Sequence, residues 1–225
     1  MILNYFLPIL AIVIGVLIAI ATDQKRNLLS KLLLSFSGSF LLALTLFELL
    51  PEVYDHLEAR QTGVFIMLGI LLQIILEFFS KGAEHGHIHI HQDETEFPWL
   101  LFLSLCIHSF LEGFPIHQHN DMVYGVVIHK IPIAMLLTIY LLRSNFPGLK
   151  CIFFITVFGL MTPLGTFISN HVEMEPHFAH YINALVIGIF FHISTTILFE
   201  SSEGHKFNLS KLVSILVGFV IAYLI

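Results

Sequence analysis

Apolar stretches close to 20 residues long follow one another along almost the whole chain, separated by short polar breaks. A bilayer core about 30 Å thick is crossed by roughly 20 residues of helix, and in lipid every backbone polar group must be satisfied within its own segment. Only 12% of the 225 residues are charged and 56% are hydrophobic. Water-soluble domains carry about 25% charged residues. The pattern predicts an all-α polytopic membrane protein in a single transmembrane domain. Its eight spans lie at about 1–22, 32–50, 63–80, 99–116, 122–142, 151–169, 181–199 and 209–225.

No Lys or Arg precedes the first apolar run, and Lys25, Arg26 and Lys31 follow it. This predicts a retained first span with its N-terminus outside. Both termini are then external. Eight of the ten Lys and Arg residues (Lys25, Arg26, Lys31, Lys81, Arg143, Lys150, Lys206, Lys211) fall on the cytoplasmic side, leaving Arg60 outside and Lys130 within a span. Thr45-Leu46-Phe47-Glu48 is echoed by Thr196-Ile197-Leu198-Phe199-Glu200 in the opposite orientation. That echo fits an inverted 3+2+3 arrangement, in which transporters place their sites near mid-membrane.

Ionisable groups inside two neighbouring spans carry the chemistry. Ile107-His108-Ser109-Phe110-Leu111-Glu112-Gly113-Phe114-Pro115 belongs to the fourth span, and Ile128-His129-Lys130-Ile131-Pro132 to the fifth. A charge at mid-bilayer costs about 2.5–3.5 kcal/mol even on lenient scales, so such residues are by default functional. His108 and Glu112 lie four apart and share a helical face with Ser109 beside them. At ~1.5 Å per residue, Glu112 and His129 lie at matching depth. Two imidazoles and a carboxylate suit Zn²⁺ or Fe²⁺ better than Ca²⁺ or Mg²⁺. Carbonyls freed by Pro115 and Pro132 add oxygen ligands or water sites. A plain Glu112–Lys130 ion pair holding two helices together is the competing structural explanation.

These residues resemble the ZIP (Zrt/Irt-like) metal transporters. His108-Ser109-Phe110-Leu111-Glu112-Gly113 is similar to the family's fourth-span motif, and His129-Lys130-Ile131-Pro132 to that of the fifth. Leu49-Leu50-Pro51-Glu52 is similar to the family's ending of span two. The resemblance implies divalent transition-metal transport toward the cytoplasm, most simply of zinc, with iron, manganese or cadmium as alternatives. Metal and lipid are then the partners. A homodimer is left open, no resident cofactor is expected, and no basic patch points to nucleic acid. Family members with a two-metal site carry further acidic residues where Lys130, Ile133 and Thr162 stand here. One ion at His108, Glu112 and His129, completed by Ser109 or water, is therefore expected. Lys130 would act as a fixed charge in the neighbouring position, and Pro132 and Thr162 would shape the site.

Fourteen histidines are the compositional outlier. His85, His87, His89 and His91, in the His-rich segment 81–97, are candidates for a cytoplasmic metal cluster. His171, Glu173, His177 and His180 are candidates for external capture, read as lying on the loop 170–180. Glu48 and Glu52 are pathway candidates by the resemblance. His192 either lines the path or bonds a neighbouring helix. The two cysteines sit in apolar runs and suggest no disulfide framework. The rival function is an intramembrane zinc-dependent hydrolase. It has no His-Glu-x-x-His, no nucleophile elbow, and no general base once Glu112 binds metal. A chain this compact suits a bacterial inner membrane.

Overall fold

The computed structural model describes residues 2–22, 27–80, 82, 97–116, 121–200 and 209–225. The histidines at 85, 87, 89 and 91 lie outside these. The described residues form helices α1 (Ile2–Ala21), α2 (Asn27–Leu44), α3 (Leu50–His56), α4 (Ala59–Ser80), α5 (Trp99–Leu111), α6 (Met122–Arg143), α7 (Gly148–His171), α8 (Pro176–Glu200) and α9 (Leu209–Leu224). A π-helical turn, Thr45–Leu49, joins α2 to α3, so both belong to one span. Six helical segments are long and apolar enough to cross a membrane, and α5 and α9 are shorter apolar helices. With no strands among the described residues, this is an all-α polytopic membrane protein.

Two bundles make up the molecule. In the first, α1 packs along α6 and α7, and α5 packs along α7. In the second, α4 packs along α8, α2 along α9, and α2 also meets α8. Exchanging α1, α2–α3 and α4 for α7, α8 and α9, with α5 for α6, turns the α1–α6 pairing into α5–α7. The same exchange turns α4–α8 into α2–α9, as an inverted repeat requires. The bundles meet where α2 lies on α6 and α4 on α5.

Close packing between the helices rests on small residues, since lipid provides no hydrophobic drive between them. Gly69 of α4 and Gly188 of α8 face each other across a crossing. A methyl group on either would overlap the other helix's backbone. Ser39 and Gly218 make the corresponding contact between α2 and α9.

The helices run further than their apolar runs. The acidic stretch from Glu52, expected as a loop, stays helical to His56, and α4 begins at Ala59 instead of Gly63. Pro51 does not end the span because the π turn lies just before it. The Leu50 amide reaches back to the Thr45 carbonyl, and the widened turn absorbs the donor that proline lacks. The expected loop 170–180 shrinks to Val172–Glu175, which places His171 on α7 and His177 and His180 on α8. In the opposite sense, α5 stops at Leu111, short of the expected Ile116. The Gly113 and Phe114 amides bond carbonyls only three residues back, so the chain tightens and leaves the helix.

Candidate functional site

The early end of α5 builds the site. Gly113 and Gly165 pack α5 against α7 at backbone contact. A methyl group at Gly165 would overlap the Phe110 carbonyl, and one at Gly113 the Thr162 carbonyl. The last carbonyls of a helix have no partner within it. Here the hydroxyls of α7 supply them. Thr162 Oγ1 lies 2.9 Å from the Ser109 carbonyl, Thr166 Oγ1 donates to the Gly113 carbonyl at 2.8 Å, and Ser169 Oγ to that of Phe114 at 3.2 Å.

Held in this way, Glu112 meets Lys130 of α6. The Lys130 ammonium lies 2.5 Å from Glu112 Oε1 and donates to Ser109 Oγ at 2.8 Å. It also sits 4.5 Å from the centre of the Phe158 ring, a cation–π contact. Ser109 Oγ in turn donates to the Phe158 carbonyl at 3.1 Å, and Thr162 Oγ1 reaches Glu112 Oε1 at 2.8 Å. His108, Ser109, Glu112, His129 and Lys130 are each at most 3% exposed. A buried ion pair of this kind holds only when hydrogen bonds satisfy its remaining donors and acceptors, and Ser109, Thr162 and Phe158 do so.

One carboxylate oxygen is left out of that network. Glu112 Oε2 faces His108 Nε2 at 3.5 Å, beyond hydrogen-bond range. Two ligands at about 2.0–2.1 Å from a tetrahedral zinc stand roughly 3.3 Å apart, so this spacing suits one ion. The His108 and His129 rings are nearly perpendicular with centroids 6.3 Å apart. A shared tetrahedral ion would bring them to about 5 Å. His129 thus stands some way outside ligand range. Among the described residues, no three His, Cys, Asp or Glu side chains converge closely enough to hold a metal as they stand.

Most of the remaining sequence candidates are dispersed. Pro132 is buried inside α6, where it leaves the Ile128 carbonyl without its helical donor. Glu48 is half-buried in the π turn, and Glu173 is exposed. His171 stacks on Phe167 at 4.2 Å and engages its carbonyl. His192 bonds Glu77 of α4 at 2.5 Å, the helix-linking alternative of its two readings. His180 lies beside Glu52 and stacks on His56. Cys106 and Cys151 are both free thiols. Sequence reasoning missed Phe158, Thr166, Ser169 and His56. For the two hydroxyl residues, the spacing 162, 166, 169 on one face of α7 was an available signal.

The fold and the buried polar centre together define an integral, multi-pass membrane protein with a buried Glu112–Lys130 pair inside one helical bundle. Residues 80–225 match the family described as ZIP Zinc transporter, and the chain belongs to that family. It is 30% identical to "Zinc transporter ZIP1" of Danio rerio over 152 residues, covering 62% of this chain and 50% of that protein. It is also 27% identical to "Zinc transporter ZIP1" of Takifugu rubripes over 260 aligned positions, covering 89% and 85%. The third relative, "Protein zntD" of Dictyostelium discoideum, is 25% identical over 166 residues, covering 62% and 24%. The chain thus spans about half of the Danio rerio protein and about a quarter of the Dictyostelium one.

Proposed function

We propose that the chain carries divalent transition-metal ions across a membrane, zinc foremost, with iron, manganese or cadmium as alternatives. The ion would pass toward the cytoplasm through one site between α5 and α6. The observation that carries this reading is the 3.5 Å spacing of Glu112 Oε2 and His108 Nε2. These two are the ligands in place, and His129 joins them by a small movement of α6 or of its own ring. Ser109, expected as a further ligand, has its hydroxyl engaged by Lys130 and the Phe158 carbonyl. Its proposed role is to hold Lys130.

Lys130 stands as a resident cation on Glu112 Oε1, so the carboxylate offers one oxygen to an ion instead of two. A partly neutralised carboxylate binds a cation more weakly, and weak binding is what flux demands. The same occupancy counts against the hydrolase alternative, because Glu112 has no free oxygen to serve as base once Oε2 binds metal. All three relatives are eukaryotic, so a bacterial inner membrane draws no support from them.

Purified protein in sealed vesicles tests the proposal. Wild-type vesicles should accumulate Zn²⁺, and His108→Ala and Glu112→Ala should each abolish uptake. Wild-type vesicles that take up none of Zn²⁺, Fe²⁺, Mn²⁺ or Cd²⁺ would overturn it.

A further inference from the structure

A second His/Glu assembly lies in the other bundle, at the end of α3 and the start of α8. Glu52 and His56 are one turn apart on α3, and His177 and His180 one turn apart on α8. The His56 and His180 rings stack with centroids 4.2 Å apart and 16° between their planes. Two contacts fix how α8 sits here: Tyr181 donates to Gln61 Oε1 at 3.2 Å, and its ring stacks on Phe65 at 4.4 Å.

The ring nitrogens show what the assembly can bind. His56 Nδ1 lies 2.8 Å from the Glu52 carbonyl oxygen. A carbonyl can only accept, so Nδ1 carries the proton and the lone pair of neutral His56 falls on Nε2. Histidines that bind metal through one nitrogen commonly donate the other N–H to a carbonyl or carboxylate, which orients the ring. His180 Nδ1 is enclosed, makes no hydrogen bond, and lies 4.0 Å from Glu52 Oε1. That separation is too long for a hydrogen bond. Two ligands of a tetrahedral zinc stand roughly 3.3 Å apart, so the two groups need close by only about 0.7 Å to share an ion.

We propose that Glu52, His56 and His180 form a second binding site for one divalent transition-metal ion of the zinc class, separate from Glu112. Imidazole and carboxylate together select such ions over Ca²⁺ and Mg²⁺. Glu52 Oε1 and His180 Nδ1 need little movement to share an ion. The stacked rings must part for His56 Nε2 to join them. Binding at this site does not depend on the transport reading.

The test uses the full chain in nanodiscs on a Glu112→Gln, Lys130→Met background, which removes the central ion from the count without stranding a buried charge. His56→Asn keeps a donor for the Glu52 carbonyl and deletes the Nε2 ligand. His180→Gln retains an Nε2-like amide and deletes Nδ1. Equilibrium dialysis against Zn²⁺ should show each variant losing one bound ion per chain, or binding it at least tenfold more weakly. Unchanged stoichiometry and affinity in both, with native elution profiles, would overturn the site.

Should either variant aggregate, the parent protein provides a second measurement. Zn²⁺ should protect His56 from diethylpyrocarbonate, read by mass spectrometry, and absence of protection would also overturn the proposal. Failure of zinc uptake with this binding intact would count against the transport reading alone.

Discussion

The two bundles handle ionisable side chains in opposite ways. In the bundle of α1, α5, α6 and α7, Glu112 and Lys130 are enclosed and cross-linked by Ser109 of α5 and by Phe158 and Thr162 of α7. In the bundle of α2, α3, α4, α8 and α9, carboxylates near helix ends pair with histidines at partial exposure, as in Glu77–His192 and Glu52–His180. A carboxylate near an interface reaches water by a small movement, whereas one at depth must be neutralised by protein. The first bundle therefore has a committed charge network, and the second has pairs that can part at modest cost.

The largest expected effects follow from breaking that network. Glu112→Ala strands the Lys130 ammonium without its counter-charge, which should cost about 3–5 kcal/mol and abolish uptake. Lys130→Met strands the carboxylate at similar cost. Replacing both, as Glu112→Gln with Lys130→Met, removes the pair without leaving an orphan charge, and most of the stability should return. Uptake should not return. Chemical unfolding and vesicle flux on the three proteins separate the two roles. Full uptake by the double variant would reduce the pair to a helix clamp, the structural explanation weighed from sequence.

Next in size is the seam on which the network stands. Gly165→Ala must push α7 away from the Phe110 carbonyl, at about 1–3 kcal/mol for the overpacking. Since Thr162 rides on the same stretch, zinc affinity should fall along with stability. Gly159→Ala on the same helix is the control. Its added methyl would meet Ile12 at 3.5 Å, an ordinary contact, and should be tolerated. Equal effects at the two glycines would mean that close approach at Gly165 is not what shapes the site.

The second bundle should respond more mildly. Glu77→Gln exchanges a charged hydrogen bond to His192 for a neutral one, and a stability loss of about 1.5 kcal/mol in a thermal melt is expected. Uptake should stay near the wild-type level. A loss of uptake comparable to that of Glu112→Ala would show that the peripheral pairs share the work of the central network.

The same contrast governs what could be read from the sequence. The apolar runs fell on helices, because lipid leaves the backbone no alternative to the helix. They misplaced the ends, because hydropathy marks where lipid begins and not where the helix stops. Ala59–Gln61 and His177–His180 are polar or mixed, yet helical. His108, Glu112, His129 and Lys130 were legible because charge in a span is rare. The support beneath them was not. The Phe158 carbonyl is a backbone atom that any residue would provide, and hydroxyls such as Thr166 are common in spans. His56 gave no signal because its partner, His180, is brought to it only by the packing of α3 against α8.

The smallest effect tests whether that support is structural or wet. Thr166→Val deletes the donor to the Gly113 carbonyl just past Glu112. Single interhelical hydrogen bonds within membranes average about 0.6 kcal/mol. A loss of that size is expected if the carbonyl is sealed against α7, because nothing else can serve it. If the melt is unchanged, water must replace the lost hydroxyl, and the turn from Gly113 to Ile116 would then border a hydrated route to Glu112. An unchanged melt combined with faster zinc uptake would sharpen the contrast between the bundles further. The charge network would be fixed on the α6 side and open to water at the end of α5, giving the ion a direction from which to reach His108.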